Sequence, residues 1–568
     1  MSLLGKLFNK KIVITGPAPS GIKPVVLLVL DGYGIAPASQ GNAITQAKKP
    51  NIDSFASSYF RGELIASGES VGLPANEVGN TEVGHLSLGA GRTIFQDLVR
   101  INKSIKDESF YDNRALLQAL DHVKKNNSKF HVIGLVGSGN VHSSIEHFWA
   151  IMEFCKRQNL TNVYLHLITD GRDSPPNEGI EVVQKIESQL MVNKIGKVAT
   201  ISGRYFAMDR DKRWERIQKE YEALVLGKGT SVSSAVEALK RSYAAKKSDE
   251  FVEPAVIKTP EGKPVATIDD NDAVIFFNFR IDRPRELTMA FVLGNFESLT
   301  SFNFGDDPEQ GGRREGQIEF GTTFKREKRP KNLFFVTMTE YIKNLPVSAI
   351  AFPKEIVPDG LGEVLARNGL KQMRLAESEK ERFITYYFDG MKEERFNGED
   401  VQIVPSPKVA TYDKKPEMSV FGVVEEFKKA LSRGVYHFFV INFANPDMVA
   451  HTGDIGATVK AIEFVDRAVS EVVRDTLVAG GTILITADHG NAEELLTFPT
   501  TTFFVTTSKG TVNTDHSNNP VPLYIIGDRF KGPRELPKGT LNDVAPTILG
   551  MMGVEKPAVM TGKNLLGT

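Results

Sequence analysis

The feature that most constrains this chain is a recurring unit: a short apolar run that ends in a cluster of polar and turn residues. Val25–Leu30 is followed by Asp31-Gly-Tyr-Gly, Phe130–Val136 by GSGNVH, Val163–Thr169 by DGRD, and Lys197–Ser202 by GRYFAMDRD. Further on, Ala273–Phe279 is followed by Arg280-Ile-Asp-Arg283, Tyr436–Phe443 by ANPDMVAH, Thr482–Thr486 by ADHGN, and Val521–Ile526 by Gly527-Asp528. Each run is short, mostly β-branched or aromatic, and bounded by turn residues, so each reads as a buried strand. Amphipathic stretches of helical period lie between them, most clearly Ala115–Lys125 and Ala457–Leu477. Strand–helix alternation predicts an α/β fold with mostly parallel sheets. Ligands of such sheets gather beyond the carboxyl ends of the strands. Almost every chemically suggestive cluster in this chain sits at that position.

The chain has 568 residues, enough for two to four domains at about 150 residues each. Residues 303–332, with GDDPEQGGRREGQ and KREKRPKN, are dominated by Gly, Pro and charge and predict a surface excursion followed by a domain connection. With 69 Lys+Arg against 70 Asp+Glu, the formal charge is -1. That balance excludes a generally basic nucleic-acid binder but leaves room for a local anion site. The single cysteine, Cys155, excludes an intramolecular disulfide and any multi-cysteine metal cluster. Val25–Leu30 is far too short to span a membrane. The basic start MSLLGKLFNKK lacks the apolar region and cleavage site of a secretory signal. A soluble cytoplasmic protein without a membrane partner is the expectation.

The histidines are few, so their company matters. In NPDMVAHTGD, His451 follows Asp447 by four residues, which on a helical turn puts both side chains on one face. Asp488 and His489 adjoin at a strand end, His516 precedes the Val521 strand, and Asp31 ends the first strand. Three carboxylates and three imidazoles suit Mn²⁺, Zn²⁺, Co²⁺ or Fe²⁺ better than Ca²⁺. Six ligands exceed what one catalytic site with an open position uses, and they fit two ions. Two divalent ions against three carboxylates leave one positive charge, which an ionised hydroxyl would cancel. GNTEVGHLSLGAGR, Gly79–Arg92, supplies Thr81 in a Gly-rich loop able to wrap a phosphate with backbone N–H groups. GSGNVH carries His142 where a dinucleotide loop has its third glycine, so it is not read as one. Arg172, Arg204, Arg210, Arg280 and Arg283 cluster at strand ends in three segments and predict an anion pocket, since a guanidinium grips carboxylate or phosphate with two hydrogen bonds.

DGYG, GNTEVGHLSLGAGR, DGRDSPP, GRYFAMDRD, FNFRIDR, AESEK, PSPKVATYDKKPEMS, NPDMVAHTGD, TADHGNAE and DVAPTIL…MTGKNLL occur in that order. From about residue 25 to the end, the chain resembles the cofactor-independent (2,3-bisphosphoglycerate-independent) phosphoglycerate mutases. The resemblance implies two α/β domains. One is a discontinuous alkaline-phosphatase-like metal-binding domain, residues 1–96 and 334–568, and the other an inserted phosphotransferase domain, residues 97–333. It implies one metal on Asp447, His451 and His516, and another on Asp31, Asp488, His489 and the nucleophile Thr81. Lys380 would stabilise the transferring phosphoryl group. His142, Arg172, Asp173, Arg204, Arg210, Arg280, Arg283 and Lys380 would hold the substrate, and Asp173 would handle the proton of a glycerate hydroxyl. Mn²⁺ is the expected metal, with Mg²⁺ or Co²⁺ as alternatives, and no 2,3-bisphosphoglycerate is required. The expected activity is isomerisation of 3-phosphoglycerate to 2-phosphoglycerate by a monomer. Alternatives are a metal-dependent phosphomonoesterase, another phosphomutase of the superfamily, or a catalytically weak binding protein. Thr81 stands where the family pattern GNSEVGH has serine, the segment ANEV also departs from it, and residues 305–317 look like a local elaboration.

Overall fold

A computed structural model describes residues 24–302, 318–319, 322–497 and 510–567. The basic N-terminal segment and the Gly/Arg-rich stretch at 305–317 lie outside the described residues. The chain divides into two compact units, 1–96 with 356–568, and 97–355.

The first unit is built on a nine-stranded sheet. Its order is Glu399–Val404, Gln372–Glu377, Phe438–Phe443, Val25–Leu30, Thr482–Thr486, Val521–Ile526, Phe60–Ile65 and Arg534–Glu535, with Gly539–Thr540 also on Phe60–Ile65. The first five strands are mutually parallel, and Val521–Ile526 is antiparallel to both of its neighbours. All six residues of Val25–Leu30 and of Phe438–Phe443 are buried, as expected of strands covered on both faces. Helix Ile455–Val478 lays Ile462, Val465, Val469 and Val472 into the core. The Asp454 side chain starts this helix by accepting a hydrogen bond from the Ala457 N–H at 2.8 Å, which satisfies one of the donors a helix N-terminus leaves open.

The second unit has an eight-stranded sheet ordered Ala349–Phe352, Phe334–Thr339, Ala273–Phe276, Phe130–Val136, Val163–Thr169, Lys197–Gly203, Ala255–Ile257 and Thr230–Val232. Every pairing is parallel except Lys197–Gly203 with Ala255–Ile257. Among the described residues no helix is long and apolar enough to cross a membrane.

Two differences from the sequence-based expectation have physical causes. The second boundary falls at 355/356, not 333/334. Phe334–Thr339 pairs with Ala273–Phe276, and Ala349–Phe352 pairs beside it, so these residues complete the second unit's sheet. The expected strand Ala273–Phe279 ends at Phe276, because the Asn278 side chain turns in to accept from the Leu135 N–H at 2.9 Å. Gln372–Glu377 was hidden in the sequence by its polar residues. It is buried throughout, and Arg374 Nη2 donates there to Gln372 at 2.8 Å and Asp389 at 3.0 Å.

Candidate active site

In the first unit, four adjacent parallel strands deliver side chains to one sheet edge. Asp31 follows Val25–Leu30, Asp447 lies in the helix Asn445–Ala450 just beyond Phe438–Phe443, Asp488 and His489 follow Thr482–Thr486, and Lys380 follows Gln372–Glu377. The turns are laced together. Gly32 N–H donates to Asp488 Oδ1 at 3.3 Å, and Gly34 N–H to Glu493 Oε2 at 3.0 Å. Gly32 has φ +69°, and a Cβ there would come within 2.9 Å of Asp447, so the turn requires glycine. Thr81 opens the helix Thr81–Ala90, whose N-cap Asn80 accepts from the Val83 N–H at 2.9 Å.

The Thr81 hydroxyl is the centre of this arrangement. Its Oγ1 lies 2.9 Å from His489 Nε2 and 3.3 Å from Lys380 Nζ. Lys380 Nζ also donates to Asp31 Oδ1 at 2.8 Å and Asp447 Oδ2 at 2.7 Å. His451 Nε2 is 3.2 Å from Asp447 Oδ1 and 3.2 Å from His516 Nε2, and His516 Nε2 is 3.4 Å from Asp447 Oδ1. His489 Nε2 is 3.5 Å from both Asp31 Oδ1 and Asp488 Oδ2. Two groups have ligand atoms all within 4.8 Å of one another: Asp447, His489 and His516, and Asp31, His85 and Asp488.

The donor set fits divalent cations. Each of His451, His489 and His516 turns Nδ1 to a backbone carbonyl, of Thr514 at 2.8 Å, Gly490 at 3.2 Å and Gly79 at 2.8 Å respectively. A carbonyl only accepts, so Nδ1 carries a proton and Nε2 is the nitrogen turned inward to meet a cation, which is how metal-ligating imidazoles are held. The field at this edge calls for cations. Burial lowers the affinity of the His489 ring for a proton, but Asp488, Asp31 and Asp447 overcome it and raise the pKa to about 10. Lys380, although buried, is likewise raised by Asp31, Asp447 and Asp488.

The second unit gathers the other set, again at the carboxyl ends of neighbouring strands. Asp170, buried, accepts from the Arg172 N–H at 3.2 Å, the Asp173 N–H at 3.1 Å and Arg204 Nη1 at 2.6 Å, and Arg204 Nη1 also pairs with Asp173. His142 lies between Asp173 and Asp282, its Nε2 3.6 Å from the first and its Nδ1 3.6 Å from the second. Asp282 accepts from Arg210 at 2.6 Å and Arg280 at 3.3 Å. Arg283 donates to the Met208 carbonyl at 3.1 Å. Burial, then Arg204 and Arg210, lower the Arg283 pKa. Burial and Arg204 push His142 down to about 4, so its ring is neutral. For Asp173, burial pulls the pKa upward, but the Arg204 hydrogen bond and charge outweigh it and hold the carboxyl below its ordinary range. Arg172 and Arg210 are exposed, while Arg204 and His142 are buried, so the cluster presents guanidinium groups to solvent over a buried base.

Every sequence-predicted site residue therefore falls in one of two clusters, one on each unit. Sequence reasoning missed His85, Asn442, Asn491 and Glu493 in the first unit, and Asp170 and Asp282 in the second. Asn491 Nδ2 donates to Asp447 Oδ1 at 2.8 Å. Glu493 accepts from the Asn491 N–H at 2.9 Å and from Ser517 Oγ. His85 stands four residues beyond Thr81, a spacing that was available as a signal. Asn442 sits inside FFVINF, where no pattern marks it.

Fold and site together define the class: an α/β enzyme with acid–imidazole groups suited to divalent metals on one unit and a cluster of arginines and aspartates around His142 on the other. Residues 101–343 match the family model described as BPG-independent PGAM N-terminus. The 2,3-bisphosphoglycerate-independent phosphoglycerate mutase of Clostridium beijerinckii is 45% identical over 544 residues, covering 96% of this chain and 99% of the relative. That of Moorella thermoacetica is 44% identical, covering 96% and 98%. The solved Leishmania mexicana phosphoglycerate mutase, studied at low cobalt concentration, superposes with a TM-score of 0.57 at 28% identity, covering 96% of this chain and 97% of that one. The chain belongs to the 2,3-bisphosphoglycerate-independent phosphoglycerate mutases, and it is an isomerase.

Proposed function

We propose that this chain interconverts 3-phosphoglycerate and 2-phosphoglycerate through a phosphothreonine at Thr81. The observation that carries the reading is the position of the Thr81 hydroxyl, at a helix N-terminus, 2.9 Å from His489 and 3.3 Å from Lys380. Asp447, His451 and His516 would hold one divalent ion, and Asp31, Asp488, His489 and Thr81 the other, with Mn²⁺ preferred over Mg²⁺ or Co²⁺. Such ions supply charge neutralisation and a lowered hydroxyl pKa.

The Thr81 oxygen attacks phosphorus, the phosphorus bond to the 3-oxygen of glycerate breaks, and the proton given up by the Thr81 hydroxyl passes to that 3-oxygen. Lys380 offers its ammonium to the phosphoryl oxygens as negative charge develops on them. Arg172, Arg204, Arg210, Arg280 and Arg283, with His142, hold the anionic substrate and the glycerate. The 2-hydroxyl gives its proton to Asp173 and takes the phosphoryl group from Thr81, and that proton, released from Asp173, returns the Thr81 oxygen to a hydroxyl. No atom enters or leaves, so no 2,3-bisphosphoglycerate is needed. A monomeric state and a cytoplasmic location are part of the same proposal.

Phosphorus NMR with 3-phosphoglycerate and Mn²⁺, without 2,3-bisphosphoglycerate, tests it. The 2-phosphoglycerate signal grows in, excess chelator stops it, and Thr81→Ala abolishes it. Isomerisation by Thr81→Ala at the wild-type rate overturns the nucleophile. Inorganic phosphate in place of 2-phosphoglycerate favours the phosphomonoesterase reading.

A further inference from the structure

We propose that His85 and Asn442 are positioning residues that set the geometry of Asp31, Asp488 and the Thr81 backbone, and that they govern the affinity of one of the two metal sites and not the other. The inference rests on the two-ion reading above. It starts from a contrast among four imidazoles of the site. His451, His489 and His516 all direct Nε2 inward. His85 does not have a nitrogen to spare.

The hydrogen bonds fix the state of the His85 ring. Its Nδ1 lies 2.9 Å from the Thr81 carbonyl oxygen and 3.1 Å from Asp488 Oδ2. Both neighbours only accept, so Nδ1 carries the proton, donating it to the Thr81 carbonyl with the Asp488 carboxylate beside it. Its Nε2 lies 3.1 Å from Asn442 Nδ2. The same Asn442 nitrogen donates to Asp31 Oδ2 at 2.7 Å. The carboxylate demands a donor there, which fixes the amide's orientation and leaves its second N–H for His85 Nε2. The ring is therefore neutral, with its one lone pair already taken by Asn442. His85 lies among the candidate ligand atoms, yet its partners make it a support for the carboxylates and not a ligand.

The result is a continuous line, Asp31–Asn442–His85–Asp488, with a branch to the backbone of Thr81. His85 and Asn442 are both fully buried, so neither position can exchange these partners for water. The line touches Asp31 and Asp488, the carboxylates assigned to the ion that shares Thr81. It makes no contact with His451 or His516. Asp447 is held by a different amide, Asn491. The two ion groups thus have separate supporting amides, Asn442 and Asn491, while Lys380 bridges Asp31 and Asp447. Gly84, next to His85, is what lets the helix approach: a Cβ there would lie 2.5 Å from the Asp488 carbonyl oxygen.

The test is Mn²⁺ titration by calorimetry of the full chain, as wild type and as His85→Ala, His85→Gln and Asn442→Leu, each first shown by circular dichroism to be folded with chelator present. Wild type binds two ions. His85→Ala and Asn442→Leu weaken one site roughly 10–100-fold, the range expected for losing a support of metal ligands, and leave the other within about threefold. His85→Gln, which keeps an N–H at the ring's position, recovers part of the loss. Two sites of wild-type affinity in folded His85→Ala or Asn442→Leu overturn the inference, and so does an equal loss at both sites. If His85→Ala does not fold, Asn442→Leu and His85→Gln decide on the same criterion. A wild type that binds fewer than two ions overturns the two-ion reading itself.

Discussion

Replacing Lys380 by methionine keeps the length and apolar stem of the side chain and removes its charge. Lys380 is 3% exposed, and its ammonium bridges Asp31 at 2.8 Å and Asp447 at 2.7 Å, carboxylates that are themselves 0% and 2% exposed. Breaking a buried ion pair by removing one partner leaves charge uncompensated and costs about 3–5 kcal/mol. At roughly 2 °C per kcal/mol for a unit of this size, the melting midpoint of Lys380→Met in chelator should fall by about 6–10 °C. Divalent ions at the same carboxylates would take over much of the compensation. Saturating Mn²⁺ should therefore raise the variant's midpoint by more than it raises that of wild type, narrowing the gap. The phosphoryl group loses an electrostatic partner in either case, so kcat should still drop about 10²–10³-fold with metal present. Differential scanning fluorimetry with chelator and with Mn²⁺, on both proteins, checks the first part, and the phosphorus NMR assay the second. An identical gap under the two conditions would show that Lys380 and the metals do not share these carboxylates. The charge argument for the site would then fail.

Two further outcomes follow from the second unit. Arg280→Glu reverses a charge beside Asp282 and His142, and removing one charge-assisted contact of about 1.5–3 kcal/mol should raise the KM for 3-phosphoglycerate by about 10–100-fold; an unchanged KM counts against the anion cluster. Glu286, buried at 4% exposure, is raised from its ordinary 4.5 to about 8, first by burial and then by Asp209, while its Oε1 accepts from the Lys212 N–H at 2.8 Å. Its folded value lies above its unfolded one, so the folded state holds the extra proton, and the stability this gives is complete below about pH 4.5 and lost as the pH rises through about 8. Glu286→Gln fixes the neutral shape, so the wild type should lose more thermal stability than the variant between pH 6 and pH 9, and parallel melting curves would refute the raised Glu286 pKa.

The site's outer rank was legible in the sequence for a reason particular to parallel sheets. A strand that ends in Asp31, or in Asp488 and His489, must release its chain at the sheet edge, so a polar residue just past an apolar run is placed by the run. The Asp447–His451 pair was readable in the same way, because a four-residue step on a helical turn is a distance. The boundary near residue 333 was misplaced because charge and glycine content mark a surface stretch, and a surface stretch can end inside a sheet as readily as between units. Phe334–Thr339 belongs to the second unit only because Ala273–Phe276 has an edge to offer it, and that is a fact about pairing, which composition does not carry.

The supports behind the ligands fail to show for a different reason. Asn442 is one amide in an apolar strand, and His85 one imidazole on a buried helix face. Each residue type is compatible with simple packing, and nothing about its spacing separates the two roles. What separates them is the set of partners. One Asn442 nitrogen serves Asp31 and His85 at once, and the His85 proton goes to the Thr81 carbonyl beside the Asp488 carboxylate. Polar side chains in so dry a place are costly unless every donor and acceptor is matched. The contacts here run through both carboxylates and the nucleophile's own backbone, and leave Asn442 Oδ1 and Asp488 Oδ2 without a hydrogen bond. A residue that only filled space in that helix face would be served as well by leucine. A residue that donates to the Thr81 carbonyl, accepts from Asn442 and lies against Asp488 Oδ2 would not, and that difference is what the metal titration reads.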